Sequence, residues 1–427
     1  MKLCQVTDLL PGYHRLTAGA EQASYILIGM LCERDQDVSV LSTRPLKQPR
    51  EKFRFYSVPT LEDYLGKKLG KLFKAFKWAF LEFDPVAYFH SKRLFKKIKP
   101  DVVHFHAFSI LSYSLALAAR RLNIPTLFSV YDYGFFCPLN YLIDHEGEIC
   151  DRFHGVNCVK CLPDDFPLGR RILYLLGTLF RRRFFNFYLS KIDLFIVLSK
   201  ASAQTLRDYG IDKRRTRVVP YHLSQQKYIF REREGSHDNS VLYVGHIEFR
   251  KGLHVLLRAM PLVIRQVPDA KLYVVGEFTE EGYKKRIMRL IDSLSLEKNV
   301  LFLGRKPHEE VLSLMSRVGV VAIPEQWNSL TPVVLPEAMS LAKPIVASRL
   351  GGFPEYLKDG ENGFLVNPRR PAEFAERIIF LLRNGEIALS MGRNARESLV
   401  HSINSHQSCE EMLHLYRSLK NYRRSRN

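Results

Sequence analysis

The sequence has no apolar run long enough to span a membrane. Its longest runs, such as residues 25–32, are far shorter than the roughly 20 residues that a transmembrane helix requires. The first residues also lack the basic segment and long apolar run of a secretory signal peptide, and Pro11 interrupts them. We therefore expect a cytoplasmic protein whose seven cysteines are reduced thiols or metal ligands, not disulfides.

Acidic residues are scarce relative to basic ones. The chain has 64 Lys and Arg against 44 Asp and Glu, a net charge of +20 over its 427 residues. Residues 1–222 contain 34 of the basic and 21 of the acidic residues, so +13 of that charge lies in the first half. Such a field attracts nucleic acid, acidic lipid headgroups or phosphorylated substrates, and the composition does not choose among them.

The composition indicates a folded protein of more than one domain. Hydrophobic residues make up 46% of the chain and charged residues 25%, which is typical of globular proteins. A length of 427 residues exceeds one ordinary core and indicates two or three domains. Short apolar runs alternate with helical patterns throughout, which predicts βαβ units and parallel sheets. The polar stretch 223–240 between two such series indicates a linker.

The most informative stretch covers residues 323–355. Ile323 ends an apolar strand, an irregular turn follows, and Glu337 then lies near the start of a helix. A second apolar strand and the glycine-rich turn 351–355 complete the stretch. The backbone N–H groups at such a helix start suit a diphosphate, and a carboxylate one turn further in can accept hydrogen bonds from ribose hydroxyls.

This stretch resembles the nucleotide-sugar site of the retaining GT-B glycosyltransferases of family 4. Their pattern is a Glu, seven residues, a second Glu and then Ala, before a Gly-x-Pro-Val-Val-Ala-Ser strand, and Glu337 matches the second Glu. Other segments match the family in order from about residue 6 to about residue 416: Gly19-Ala20-Glu21, Pro100–His106, Val241–His246 with Lys251-Gly252, Gly276, and Gly304-Arg305.

The resemblance implies an α/β fold of two doubly wound (Rossmann-like) domains facing a cleft. Residues 1–222 would form the acceptor-binding domain, with a cysteine-containing insertion at about 137–161. Residues 241–400 would bind the nucleotide sugar, and the tail 401–427 would return toward the first domain. The implied activity is transfer of a sugar, with retention of configuration, to a lipid-linked or cell-envelope glycan acceptor. We expect no catalytic metal and, from the basic helices described below, a location on the inner face of the cell membrane.

The resemblance also assigns the donor-binding residues. Lys251 is the best candidate phosphate ligand, because it lies just before a helix that begins near Gly252. Glu337 would hold the ribose hydroxyls, and the backbone around 331–333 would meet the diphosphate. The full set of expected donor-binding residues is Gly19, Gly245, His246, Lys251, Gly276, Arg305, Thr331, Pro332, Val333 and Glu337.

Three positions of the expected site depart from the family pattern, in addition to Ala18, which replaces the first Gly of the N-terminal loop. Ser329 occupies the position of the first Glu, Tyr131 that of a donor-contacting His, and His246 that of a phosphate-binding Arg. Ser329, Tyr131 and Glu337 are the expected catalytic residues. Glu325 is an alternative source of the missing carboxylate, and Arg250 can assist diphosphate binding, since a neutral histidine makes no bidentate contact.

Four cysteines lie within 25 residues and end in a Cys-x-x-Cys pair. Four thiolates suit tetrahedral zinc, so Cys137, Cys150, Cys158 and Cys161 predict a structural zinc site. His145 or His154 could replace one ligand, and four reduced thiols in an insertion are the alternative. The one Asp-x-Asp, at residues 35–37, precedes a strand and predicts a turn, so we expect no catalytic metal.

Basic amphipathic segments suggest a membrane partner. Between residues 65 and 80 an apolar stripe is flanked by five lysines, and residues 92–99 and 170–183 have the same character. Such helices lie on anionic membranes, although a core-facing helix with a solvated basic face has the same pattern. The other hypotheses are a nucleotide-sugar epimerase or hydrolase of the same fold, and a non-catalytic glycan- or nucleic-acid-binding protein. We find no nucleic-acid-binding motif, so nucleic acid is not the expected partner.

Overall fold

The structure is a computed structural model, and it divides the chain into two units. The first contains residues 1–223 and 405–427, and the second contains residues 224–404. The structure describes residues 1–14, 19–47, 51–77, 82–106, 110–151, 155–162, 167–220, 238–330, 332–402 and 405–424. Most of the predicted linker 223–240 therefore lies outside the described residues.

The first unit is built on a parallel sheet. Its described strands, in the order β3-β2-β1-β4-β5-β6-β7, are β1 (Lys2–Val6), β2 (Asp37–Ser42), β3 (Arg54–Ser57), β4 (Val102–Phe105), β5 (Thr126–Ser129), β6 (Leu194–Val197) and β7 (Thr216–Val218). Leu3 pairs with Val38 on one side and with Val102 on the other. The central strands β4, β5 and β6 are buried along their whole length, as is typical of a parallel sheet covered on both faces.

Helices connect these strands. They are α1 (Gly19–Glu33), α2 (Lys67–Phe76), α3 (Pro85–Ile98), α4 (Ser114–Arg121), α5 (Leu168–Leu189) and α6 (Lys200–Asp208). The start and end of α3 follow from its sequence. The side chain of Asp84 accepts a hydrogen bond from the N–H of Ala87 at 2.9 Å, and Pro85 takes the first helical position. Lys99 ends the helix in a left-handed conformation before Pro100.

The second unit repeats this plan. Its described strands, in the order β10-β9-β8-β11-β12-β13, are β8 (Ser240–Val244), β9 (Lys271–Val275), β10 (Val300–Gly304), β11 (Val320–Ile323), β12 (Ile345–Ser348) and β13 (Phe364–Val366). The helices are α7 (Leu253–Gln266), α8 (Glu281–Ser293), α9 (His308–Met315), α10 (Val334–Ser340), α11 (Phe353–Tyr356), α12 (Pro371–Arg383) and α13 (Gly385–Ser402). The core includes α7, α8 and α12 packed on the strands.

The last helix, α14 (Ser405–Arg424), belongs to the first unit and contacts α1 and β4. Cys409, Met412, Leu413 and Tyr416 are buried in the same apolar cluster as the strands. The phenol of Tyr416 lies 2.7 Å from Nδ1 of the buried His104. The chain therefore returns to its first unit after completing the second.

The strand order reverses direction once in each sheet, between β1 and β4 in the first and between β8 and β11 in the second. In doubly wound folds, ligands bind at this point, beyond the carboxyl ends of the strands. The predicted fold class is confirmed: both units are parallel α/β sheets of the Rossmann-like type. By this rule, a ligand site is expected at the loops that follow β8 and β11.

Candidate active site

The loops after β8 and β9 are pressed together by two glycines. Gly245 donates its N–H to the carbonyl of Val275, and Gly276 donates to that of Gly304, each at 3.0 Å. Gly276 has a φ of +147°, and a Cβ atom there would lie 1.9 Å from the carbonyl oxygen of Gly245. A residue with a side chain would clash with that carbonyl, so the glycines leave bare backbone at this edge of the sheet.

Lys251 is fixed by a buried carboxylate. It ends a short 3-10 turn, Phe249–Lys251, and Gly252 then begins α7 in a left-handed conformation. A Cβ atom at Gly252 would lie 1.7 Å from the carbonyl oxygen of Pro324, so this turn packs directly on the loop after β11. The Lys251 ammonium pairs with the carboxylate of Glu325, which is only 2% exposed. The indole N–H of Trp327 donates to the other oxygen of Glu325 at 2.7 Å.

The structure gives Glu325 a role that the sequence did not predict. Each of its oxygens accepts one hydrogen bond, one from Lys251 and one from Trp327. The carboxylate therefore orients a cation and an indole, and its use in place of the missing first Glu of the family pattern stays a prediction. Sequence reasoning missed Trp327, although its place within the 323–339 stretch was the available signal.

Positive charges surround His246. Arg250 lies over the ring of Trp327, 4.8 Å from its centroid, and pairs with Glu248 at 2.8 Å. Partial desolvation lowers the pKa of His246. Glu248 opposes this effect, and the charges of Arg250, Lys251 and Arg305 lower the pKa further. His246 is therefore neutral at pH 7, and the cations beside it carry the positive charge of this edge.

Glu337 lies on α10 and is 5% exposed. Its Oε1 is 2.8 Å from Nε2 of His308, the first residue of α9. His308 is nearly half exposed, so it contacts both solvent and the carboxylate. The contact engages Oε1 and fixes the orientation of the carboxylate that we expected to bind ribose. The sequence did not predict this histidine.

Ser329 lies in the loop between β11 and α10 and is 2% exposed. Its N–H donates to the carbonyl of Trp327 at 2.7 Å, and its own carbonyl accepts from Gly352 at 3.0 Å. The loop after β12 is thereby held against it. Thr331 lies outside the described residues. Pro332 and Val333 directly precede α10, and Pro332 has no N–H, so it contributes no backbone donor.

The remaining predicted residues, Gly19 and Tyr131, lie in the first unit. Gly19 begins α1, and Tyr131 follows β5. The phenol oxygen of Tyr131 is 3.5 Å from Nδ1 of His106, and Nε2 of that histidine lies 2.8 Å from Oε1 of Gln5. Burial raises the pKa of Tyr131, so its hydroxyl is neutral at pH 7 and is able to donate a hydrogen bond.

The four insertion cysteines lie in one neighbourhood of the first unit. Cys137 and Cys158 are buried, and Cys150 and Cys161 are half-buried. Burial raises the pKa of Cys161 to about 11, with contributions from the nearby thiols of Cys158, Cys137 and Cys150. Within the described ranges, no three His, Cys, Asp or Glu side chains are arranged to hold a metal ion. His154 lies outside those ranges, and the zinc site stays a prediction.

Sequence profiles of known families match nearly the whole chain. The profile described as Glycosyltransferase Family 4 matches residues 17–221, and the profile described as Glycosyl transferases group 1 matches residues 224–398. The chain belongs to these glycosyltransferases. Each matched region covers nearly all of the strands of one unit, so the expected donor-binding residues of the second unit lie in the part that matches group 1.

Curated relatives of this glycosyltransferase are distant. An uncharacterized glycosyltransferase of Methanocaldococcus jannaschii is 27% identical over 332 residues, covering 72% of this chain and 88% of the relative. The D-inositol 3-phosphate glycosyltransferase of Corynebacterium glutamicum is 29% identical over 164 residues, or 38% of this chain and 39% of that protein. The second match thus spans well under half of the relative.

Solved structures show the same fold over the full length. Anabaena HepE in complex with UDP-glucose has a TM-score of 0.68 at 18% identity, covering 98% of this chain and 100% of that one. Sucrose-phosphate synthase from Thermosynechococcus elongatus has a TM-score of 0.70 at 20% identity, covering 98% of each chain. At these identities the similarity concerns the fold alone.

Proposed function

We propose that this glycosyltransferase moves a sugar from a nucleotide diphosphate sugar to a lipid-linked or cell-envelope glycan, with retention of configuration and without a catalytic metal. The main support for the proposal is a cluster of positive charges at the carboxyl ends of the strands in the second unit. There a lysine that is paired with a buried carboxylate lies beside two arginines. Since the structural relative HepE is described in complex with UDP-glucose, UDP sugars are the first donors to test.

The donor would be held by separate groups on its two ends. Lys251, assisted by Arg250 and Arg305, would neutralise the negative charge of the diphosphate. His246 would contribute no positive charge, because it is neutral. Glu337 would accept hydrogen bonds from the ribose hydroxyls, with His308 setting which oxygen faces the sugar. Ser329 would contact the transferred sugar through a hydroxyl where the family pattern has a carboxylate.

The chemistry requires placement and charge more than acid–base catalysis. In retaining transfer of this kind, the bond between the anomeric carbon and the diphosphate oxygen breaks, and the acceptor oxygen forms a new bond to that carbon on the same face. The leaving phosphate oxygen accepts the proton of the acceptor hydroxyl. Cations around the diphosphate stabilise the charge that develops on that oxygen, which replaces the role of a metal ion. The neutral Tyr131 would serve as a hydrogen-bond donor to the transferred sugar, in place of the family's histidine.

The acceptor would bind to the first unit. Its positive charge and its basic helices favour an acceptor attached to an anionic surface, so we propose that the enzyme acts as a peripheral protein on the cytoplasmic face of the membrane. The experiments must distinguish this proposal from three alternatives. They are a glycosyltransferase with a soluble acceptor, a nucleotide-sugar epimerase or hydrolase, and a non-catalytic binding protein.

The first test is nucleotide binding followed by product analysis. We expect UDP to raise the melting temperature more than inorganic phosphate does, because a ligand that binds the folded state stabilises it by mass action. Incubation with UDP-glucose and membrane lipid extract should then yield a glycosylated lipid, and the proton coupling constant of its anomeric centre should match that of the donor. Full activity in EDTA is expected.

The control variants separate binding from folding. Glu337→Gln should lower UDP-sugar affinity without lowering stability, whereas Glu386→Gln, which alters an exposed carboxylate on α13, should change neither. An inverted product would overturn retention, and a free epimerised or hydrolysed sugar with no transfer would favour the epimerase or hydrolase. If no nucleotide or nucleotide sugar binds, the proposed donor site is wrong.

A further inference from the structure

Two adjacent helices of the first unit present their apolar side chains to solvent. On α5 the exposed large residues are Leu168, Ile172, Leu175, Leu176, Leu179, Phe180 and Phe187, with exposures between 40% and 73%. On α2 they are Leu69, Leu72 and Phe76, with exposures between 43% and 65%. The two helices contact each other, and we call their exposed apolar side chains together the α2–α5 face. Exposed apolar side chains in such number, rimmed by polar residues, are typical of an interaction surface.

The orientation of α5 is fixed by its opposite side. Arg181 is 2% exposed and lies between the rings of Tyr174 and Phe185, with its carbon centre 5.4 and 5.1 Å from their centroids. It also pairs with Glu82 at 3.9 Å. Because the helix turns 100° per residue, burying Arg181 and Tyr174 places the leucines on the outer side. An ordinary surface helix has the reverse arrangement, with leucines inside and arginines outside.

Basic side chains surround the apolar ones. Lys68, Lys71 and Lys74 are exposed on α2, and Arg170, Arg182 and Arg183 are exposed on α5. Neither helix has an acidic residue within its bounds. In addition, no helix of the described residues is long and apolar enough to cross a membrane. A helix with a basic border and an apolar face, too polar to span a bilayer, lies in the interface between headgroups and acyl chains.

We propose that the α2–α5 face inserts into the surface of an anionic lipid bilayer. A second copy of the chain is a poorer partner, because a symmetric interface would place the like-charged borders of the two copies against each other. Nucleic acid would satisfy the charges but would leave the exposed leucines and isoleucine without an apolar partner. Anionic lipid satisfies both features of the face. The proposal rests on the proposed function and deepens it, by identifying the surface through which the enzyme would reach a lipid-linked acceptor.

The experiment compares three triple variants of the full chain in vesicle sedimentation. The basic set is Lys68→Glu, Lys71→Glu and Lys74→Glu, and the apolar set is Ile172→Ser, Leu176→Ser and Leu179→Ser. The matched control, Lys284→Glu, Lys285→Glu and Arg289→Glu, reverses three exposed charges on α8 of the second unit. The vesicles contain either phosphatidylglycerol mixed with phosphatidylcholine or phosphatidylcholine alone.

We expect the wild type and the control to bind the anionic vesicles and to ignore the neutral ones. The basic set should bind more than about a hundredfold more weakly at low salt, because the loss of three surface lysines alone accounts for about that factor and the introduced carboxylates add repulsion. The apolar set should lose the part of the binding that resists high salt, and its melting temperature should not fall, because the replaced side chains are exposed. All variants should bind UDP as the wild type does, so failure here is distinguishable from failure of the donor site.

Three outcomes would overturn the proposal. The first is a wild type that sediments equally with neutral and anionic vesicles, or with neither. The second is normal vesicle binding by the apolar set, combined with a wild type that is dimeric in light scattering and an apolar set that is monomeric, which would assign the face to a second copy. The third is a wild type that ignores vesicles but retards duplex DNA with a steep salt dependence, which would assign the basic residues to nucleic acid.

Discussion

Lys251 pairs with a buried carboxylate in the fold, and we propose that it also binds the donor diphosphate; one substitution tests both roles. Lys251→Ala would remove the ammonium and leave the carboxylate of Glu325 buried. Of the two contacts described above, only the hydrogen bond from the indole N–H of Trp327 would remain. Removing one partner of a buried ion pair costs about 3–5 kcal/mol. Since the side chain of Lys251 is 17% exposed and water can approach it, we expect the lower end, about 3 kcal/mol.

This cost should be visible in calorimetry. For a domain of 150–250 residues, each kcal/mol lowers the melting temperature by roughly 2–4 °C, so the second unit of Lys251→Ala should unfold roughly 6–12 °C below the wild type. The same variant should bind UDP at least tenfold more weakly, about the effect of losing one charge-assisted hydrogen bond.

The double variant Lys251→Met with Glu325→Gln separates the two roles. It removes both charges while keeping the side-chain shapes, and the amide oxygen introduced by Glu325→Gln can still accept a hydrogen bond from Trp327. Most of the lost stability should return, because no carboxylate is left buried with its cation missing. UDP affinity should stay low. If Lys251→Ala has the melting temperature of the wild type, the pair does not stabilise the fold. If the double variant binds UDP with wild-type affinity, Lys251 is not a phosphate ligand.

Four further predictions concern the donor site of the second unit, the cysteines of the first unit and the metal requirement. His246→Arg should tighten UDP binding. The UDP affinity of the wild type should rise as the pH falls through the lowered pKa of His246, and the affinity of the variant should not. His308→Ala should raise the Km for a UDP-sugar more than the Km for the corresponding 2′-deoxy UDP-sugar. An equal increase in Km for both donors would contradict the assignment of Glu337 to the ribose. Elemental analysis should find about one zinc per chain, lost in Cys158→Ser with Cys161→Ser, and metal-free protein of normal stability would leave four thiols. Added magnesium or manganese should not change the transfer rate, and dependence on either would overturn metal independence.

The fold was predictable because its central strands have a clear sequence pattern. Runs such as Val102–Phe105 and Val320–Ile323 are largely apolar and buried along their whole length, so they differ from the helices between them. Two strands with a weaker sequence pattern lie at sheet edges. Residues of β3 (Arg54–Ser57) are exposed or half-buried, and β13 (Phe364–Val366) has only three residues. An edge strand needs no continuous apolar run, so its signal is weak.

The candidate site was predictable only where it is local in sequence. Glycines and Lys251 closely follow strands, so their places at the sheet edge follow from strand positions. By contrast, Lys251 and Glu325 are 74 residues apart, and His308 and Glu337 are 29 apart. The first contact exists because β8 and β11 are neighbours in the sheet despite the two strands between them in the chain. No periodicity encodes that adjacency, so no motif could report these partners.

Periodicity also leaves one question open on every amphipathic helix, namely which side faces inward. In α5 the leucine stripe and the Tyr174–Arg181–Phe185 stripe have the same helical spacing, and the structure buries the second. Full burial of a leucine, isoleucine or phenylalanine contributes about 1.5–3 kcal/mol relative to exposure. The exposed leucines, isoleucine and phenylalanines of α5 therefore leave several kcal/mol ungained in water. Insertion into a bilayer surface would recover that free energy only for a helix whose apolar side faces outward. Burial of Arg181 costs desolvation free energy within the fold, but it is what turns the apolar side of α5 outward.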